Sequence, residues 1–244
     1  MTWKTLARRL VPSAFRYHVV RLLTLRGQVY PQSIDYEPDV QRAMCAYIKT
    51  GDTVFDVGAN VGIHSVIMGR LVGPTGHVHI FEANPAILGR LRDTLKVNGL
   101  LNRSAIQNVA VTNQNHNSVN LFISRDTRVK GGASTILPEL SSRERLGKQV
   151  QEIRVQTITL DEYCRTLGVV PDFVKFDIEG AEFLALQGFE NVLRTKGPTL
   201  VLEYGNQPGV KQGVPYGPHR NPALVFLDSF VKTPLRGSVG ALVR

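Results

Sequence analysis

The stretch VFDVGANVGIHSVIMGR, Val54 to Arg70, starts as an apolar strand and ends as a helix. Between the two stand three small residues, Gly58, Ala59 and Gly62. A GxGxxG turn after a strand holds a dinucleotide pyrophosphate. This turn reads G-A-N-V-G, so the dinucleotide spacing fails. Asp56 closes the strand, and its carboxylate would repel a pyrophosphate. A ligand that carries an ammonium and a sulfonium would be welcome there. Glu82 follows the next strand, where an acid takes the two hydroxyls of a ribose. The turn therefore suits a cationic nucleoside without phosphates, and S-adenosylmethionine fits that description. The plainer reading makes Asp56 a cap and the glycines tight-turn residues only.

The flanking elements repeat the strand–helix pattern. Residues 35–49 read as a helix that leads into the core. TVFDV (53–57) is a buried strand and residues 62–71 a helix. HVHIF (77–81) is the second strand, entered through Gly73-Pro74-Thr75-Gly76. Asn84 and Pro85 open a helix over 85–97, and Asn98-Gly99 stops it. AIQNVAV (105–111) and SVNLFIS (118–124) are the third and fourth strands. Residues 125–150 read as a long basic loop with room for one helix. EIRVQTI (152–158) alternates like an edge strand. Thr159 and Glu162 form a capping-box start. DFVKFDI (172–178) is a strand, 181–187 a helix ended by Gly188, and TLVLEY (199–204) a strand. After it only PALVFLDSFV (222–231) has the pattern of a helix. Alternating strands and helices predict an α/β fold, a mostly parallel sheet with helices on both faces. Three parts are expected: a basic amphipathic extension (1–34), a core domain (35–205) and a Pro- and Gly-rich extension (206–244).

With 244 residues and 43% hydrophobic residues the chain can bury a full core. Its two cysteines, Cys45 and Cys164, fit neither a disulfide framework nor a zinc pattern, which points to a reducing compartment, the cytoplasm. The net charge is +9, concentrated before residue 27 and between Arg125 and Lys148. No ladder of aromatic and basic residues suggests a nucleic-acid platform, and no nucleic-acid partner is expected. No run of 18 apolar residues suggests a membrane span. The basic N-terminal helix would suit peripheral contact with the inner face of a membrane.

A second cluster, VKFDIEGAE, places Lys175, Asp177, Glu179 and Glu182 at the end of an apolar strand. Asp177 and Glu179 are alternate residues and would point the same way. Crowded carboxylates repel one another, and a cation, a substrate proton or Lys175 would relieve them. Glu203, at the end of the next strand, would approach the same cleft.

These runs resemble one family. YEPDV (36–40), GDTVFDVGANVGIHS (51–65), GHVHIFEANP (76–85), NVAV (108–111), TLDEY (159–163), FVKFDIEGAEFLALQG (173–188) and LVLEY (200–204) are similar, in order, to the FkbM family of S-adenosylmethionine-dependent methyltransferases. The resemblance implies a class I methyltransferase fold. It also implies methyl transfer, usually to a hydroxyl of a sugar, glycolipid, polyketide or other secondary metabolite. Carried over by position, Asp56, Gly58, Ala59 and Asn60 would hold the methionine part of the cofactor. Gly62 would let the helix come close, and Glu82 would bind the ribose. Asn108 to Ala110 would edge the adenine. His64 stands where the family more often has an aromatic residue. Asp177 and Glu179 would face a small-molecule or glycan acceptor with a free hydroxyl. After Glu203 the family pattern stops.

An alcohol is a weak nucleophile at neutral pH, so Asp177 or Glu179 is the candidate base. A sharper form adds magnesium on Asp177, Glu179 and Glu203, since oxygen ligands suit that ion. His219, in the tail, is a second candidate base on a lid. Ser134 and Thr135 are candidates to line the acceptor site. The rivals are a dinucleotide-dependent oxidoreductase, a degenerate methyltransferase-fold binding module and an RNA methyltransferase. The first lacks its glycine spacing, the second should lack the acids, and the third should carry N-P-P-[YF] where FDIEGAE stands.

Overall fold

The strand TVFDV (β1, Thr53–Val57) sits at the centre of the molecule and shows why the sheet is covered on both sides. Phe55 and Val57 point into one apolar cluster and Val54 into another. Side chains alternate across a strand, so an unbroken apolar run of this kind needs two packed faces. The structure is a computed structural model. It describes residues 37–124, 134–140, 149–203, 235–236 and 240–243. The expectations for the N-terminal extension, for 222–231 and for His219 lie outside the described residues.

On one face lie helices α1 (Pro38–Tyr47), α2 (Ile63–Leu71) and α3 (Leu88–Val97). Met44, Val66, Ile67, Leu91 and Leu95 fill the space beneath them. The other face carries α4 (Leu160–Leu167), α5 (Glu182–Gln187) and α6 (Glu190–Lys196), packed through Tyr163, Leu186, Phe189 and Leu193. Helix α4 starts at Thr159, whose hydroxyl accepts from the Glu162 N–H. The other half of the expected capping box is absent among the described contacts. Glu162 turns to Arg165, and the Thr159 N–H donates to Asn115 Oδ1 instead.

The remaining strands are β2 (His77–Phe81), β3 (Ser104–Gln107), β4 (Ala110–Val111), β5 (Ser118–Ser124), β6 (Ser134–Thr135), β7 (Val150–Ile158), β8 (Phe173–Phe176), β9 (Thr199–Glu203), β10 (Leu235–Arg236) and β11 (Gly240–Val243). Among the described residues they form two sheets. The larger runs β10-β11-β9-β8-β1-β2-β3, and within it β9, β8, β1, β2 and β3 are parallel. β11 runs antiparallel to both β9 and β10. The smaller sheet runs β4-β7-β5-β6 and has its own cluster of Ala110, Leu121, Ile123 and Val155.

Two strand expectations are corrected here. AIQNVAV is two strands, because the chain leaves the large sheet at Asn108 and enters the small one at Ala110. SVNLFIS belongs to the small sheet. EIRVQTI pairs with β5 as far as Gln156 and with β4 only at Thr157 and Ile158, so most of it is bonded to one neighbour, as expected of an edge. The large sheet takes its last two strands from 235–243, beyond the expected domain edge at 205.

The order of the large sheet reverses between β1 and β8. Successive strands run outward one way from β1 to β3 and the other way from β8 to β9. In open α/β sheets the crevice at such a switch point is where ligands bind. Cys45 and Cys164 lie in clusters on opposite faces of this sheet, and both are buried thiols outside any disulfide.

Candidate functional site

A cleft of about 170 Å³ opens at the carboxyl ends of β1, β2 and β8. Val57, Gly58 and Asn60 reach it from the glycine turn, and Phe81, Glu82 and Ala83 from the end of β2. Val109, Ala110 and Val111 form an apolar wall with Ile87. Asp177, Ile178 and Glu179 form the wall after β8, and Ser134, Thr135 and Ile136 close over it from the small sheet. Glu37, just before α1, lines the same cleft.

The turn is built by hydrogen bonds to β2. The Gly58 and Ala59 N–H groups both donate to the Phe81 carbonyl, at 2.9 and 3.2 Å. Gly58 has φ 82°, and a Cβ there would stand 1.8 Å from the Asp177 carbonyl oxygen. Only glycine permits this approach of the β1 and β8 loops. Gly62 opens α2 with φ 87°, and a Cβ there would meet Leu91 of α3 at 2.7 Å. Ala59 is buried in the α1–α3 cluster. Neither Ala59 nor Gly62 lines the cleft, and both act on its shape from behind.

Glu82 is 5% exposed. Its Oε2 accepts from the Asn60 N–H and its Oε1 from the Asn84 N–H, each at 2.7 Å. Burial raises its pKa above the usual carboxylate range, and these two N–H groups work against that shift. Asn108 does not reach the cleft. Its amide donates to the Glu82 and Ala83 carbonyls and clamps the loop that carries Glu82. Of the run Asn108 to Ala110, expected at the adenine, Val109 and Ala110 line the cleft.

Asp56 is fully buried and outside the cleft lining. It shares the parity of Val54, so it faces α2, where Ser65 Oγ donates to its Oδ2 at 2.5 Å. Its strand neighbour is Lys175, whose Nζ lies 3.6 Å from Oδ1. Lys175 Nζ also donates to Asp177 Oδ2 at 2.9 Å. Burial would lower the Lys175 pKa, but Asp177, Asp56 and Glu37 outweigh it and the net shift is upward. Asp56 moves upward as well, because burial outweighs Lys175 and Ser65.

His64, on the first turn of α2, is buried and does not line the cleft. Burial pushes its pKa down to about 3, so its imidazole is neutral in ordinary solution. Its Nε2 stands 3.7 Å from Glu37 Oε2, a contact of a neutral ring and not an ion pair.

The strand β8 ends at Phe176, so Asp177 and Glu179 are no longer alternate strand residues. The chain turns sharply, with Glu179 at φ 52° and Gly180 at φ 103°. Glu182 fastens the turn by accepting from the Ile178 and Gly180 N–H groups at 3.1 and 3.3 Å. Thr135 is 2% exposed, and its hydroxyl donates to the Glu179 carbonyl at 2.9 Å. Ser134 and Thr135 line the cleft, and Thr135 joins the small sheet to the β8 turn.

Among the carboxylates lining the cleft, Glu37 is the one that site reasoning from sequence missed. Its signal was an acid directly before a helix-opening proline, in YEPDV. Among the described residues no three His, Cys, Asp or Glu side chains are placed to hold a metal ion. The Glu203 side chain lies outside the description, and magnesium has no support here. No described helix is long and apolar enough to cross a membrane.

Comparison with known proteins agrees with the fold. A candidate O-methyltransferase from Klebsiella pneumoniae superimposes with a TM-score of 0.50 at 12% identity, over 98% of this chain and 94% of that one. Methyltransferase FkbM from Methylobacillus flagellatus KT gives 0.49 at 13% identity, over 95% of this chain and 59% of that one. A protein-L-isoaspartate O-methyltransferase from Ignicoccus hospitalis is 42% identical over 57 residues, which is 23% of this chain and 27% of that protein. The match spans only about a quarter of that relative's length. The strand order is that of the class I methyltransferase fold. The model of the methyltransferase FkbM domain matches residues 56–231, well over half of the sequence, and the chain belongs to that family.

Proposed function

We propose that this protein binds S-adenosylmethionine in the cleft and transfers its methyl group to a hydroxyl oxygen of a small-molecule or glycan acceptor. The observation that carries the reading is Glu82, a buried carboxylate at the end of β2, steered by two backbone N–H groups and facing the switch-point cleft. A carboxylate has about four acceptor positions, so each oxygen can hold its N–H and still take a ribose hydroxyl. Ile87, Val109 and Val111 offer apolar contact to a flat purine. The turn Gly58–Asn60 brings backbone close to the remaining part.

When bound, S-adenosylmethionine supplies an electrophilic methyl group on a sulfonium. The protein's own work is to position the acceptor, exclude water and receive a proton. Positioning and water exclusion fall to the Ser134–Ile136 cover and the β8 turn. Asp177 and Glu179 are the carboxylates at this wall, and one of them takes the hydroxyl proton as the oxygen attacks. Lys175 fixes Asp177 Oδ2 from below and so sets the orientation of that carboxylate.

The test is incubation with methyl-labelled S-adenosylmethionine and a panel of sugars, glycolipids and polyketide alcohols. Label recovered as a base-stable ether supports the reading. Label recovered only on nitrogen, on carbon or on RNA would overturn it.

A further inference from the structure

The ammonium of the methionine part needs a carboxylate, and the residue that sequence reasoning offers for it is sealed. Asp56 faces α2, bonded to Ser65 and paired with Lys175, and does not line the cleft. Among the described residues the carboxylates that do line it are Glu37, Glu82, Asp177 and Glu179. Glu82 stands at the end of β2, where the ribose is placed. Asp177 Oδ2 is held by Lys175, and Glu179 sits in the turn fastened by Thr135.

Glu37 lines the cleft beside the first turn of α2, where the glycine turn ends. It lies at φ 47° directly before Pro38, a left-handed conformation that is uncommon for a residue with a Cβ. Residues held in such conformations cluster at ligand clamps. Its carboxylate stands 3.7 Å from the ring of His64 on the first turn of α2, with 24% of the side chain exposed. It also acts electrostatically on Lys175.

We propose that Glu37, and not Asp56, receives the α-ammonium of the methionine part of S-adenosylmethionine. The inference rests on the cofactor reading above. Asp56 then acts indirectly: it fixes Ser65 and Lys175 beneath the turn and does not touch the ligand.

The test is calorimetric titration of wild type and Glu37→Gln with three probes. S-adenosylmethionine carries ammonium and sulfonium, S-adenosylhomocysteine carries the ammonium alone, and 5′-methylthioadenosine carries neither. The first two should bind Glu37→Gln about ten- to a hundredfold more weakly than wild type, as expected for a lost bond to a charged group, and the third within about twofold. Equal weakening of all three at unchanged melting temperature, or no weakening of any, would overturn the inference. So would weakening of S-adenosylmethionine alone, which would place Glu37 at the sulfonium. A measurement on wild type alone covers the case of a variant that does not fold. There S-adenosylhomocysteine should bind at least tenfold tighter than its desamino analogue, and equal binding would contradict the proposal. If wild type binds neither S-adenosylmethionine nor 5′-methylthioadenosine, the cofactor reading itself fails and the inference falls with it.

Discussion

Asp56 on β1 and Lys175 on β8 are register partners, and the Lys175 ammonium bridges Asp56, at 3.6 Å, to Asp177, at 2.9 Å. The pair ties the first acid of the glycine turn to the first acid of the β8 turn across the switch point of the sheet. Both lie almost wholly out of solvent. Removing one member of a buried pair leaves the other charge uncompensated.

Lys175→Met should therefore lower unfolding free energy by about 3–5 kcal/mol in urea titration. Adding Asp56→Asn to it should restore at least half of the loss, since the amide brings no charge and can still meet Ser65. A single variant as stable as wild type would mean that the pair is not coupled to folding.

Gly58→Ala adds a methyl group aimed at the Asp177 carbonyl and keeps a left-handed backbone. Strain and overpacking together predict a loss of about 3 kcal/mol or more, read as a lower melting temperature. Gly168→Ala serves as the control. It also has positive φ, but open space lies around its Cβ, so it should cost only the backbone strain.

The neutral His64 makes stability depend on pH. Its folded pKa, about 3, lies below the ordinary 6.5. Between those values the unfolded chain binds a proton that the native chain does not, so stability rises with pH. The contribution is fully present above 6.5 and is lost as pH falls toward 3. His79, pushed down to about 4 by burial, acts in the same sense. Glu182, raised to about 7 by burial, acts in the opposite one. Comparison of wild type with His64→Gln isolates the first. Between pH 6.5 and 4.5, wild type should lose about 2–3 kcal/mol more than the variant. Parallel stability curves would contradict the buried neutral imidazole.

Asp177→Asn and Glu179→Gln separate the two candidate proton acceptors. The one that serves as base should lose about 10²- to 10⁴-fold in kcat with little change in cofactor affinity. The other should change kcat less than tenfold. If a carboxylate alone serves as the base, a chelator should leave wild-type turnover unchanged. Loss of turnover in chelator, restored by magnesium, would contradict that.

Much of the fold was legible because its strands are short apolar runs between glycine, proline and asparagine punctuation. Thr53–Val57 and His77–Phe81 fall where the pattern puts them. What escaped depends on partners distant in sequence. Helix α6 has no cap of its own at Phe189; the Asp161 carboxylate caps it by accepting from the Asn191 and Val192 N–H groups. The break between Gln107 and Ala110 follows from which sheet each half pairs with, and not from local propensity. Strands β10 and β11 were hidden in a Pro- and Gly-rich sequence; β11 pairs with β9, and β10 with β11. At the site, the acids Glu82, Asp177 and Glu179 were readable from their places at strand ends. The direction of Asp56 was not, although strand parity with Val54 points it toward α2. Glu37 required the knowledge that α1 brings its N-terminus to the cleft.

The most direct measurement is calorimetric titration of the folded protein with S-adenosylmethionine and, separately, with NAD. The account predicts saturable binding of S-adenosylmethionine, weakened at least tenfold in Glu82→Ala, and no binding of NAD. Binding of NAD, or no binding of S-adenosylmethionine by a protein that melts cooperatively, would contradict it.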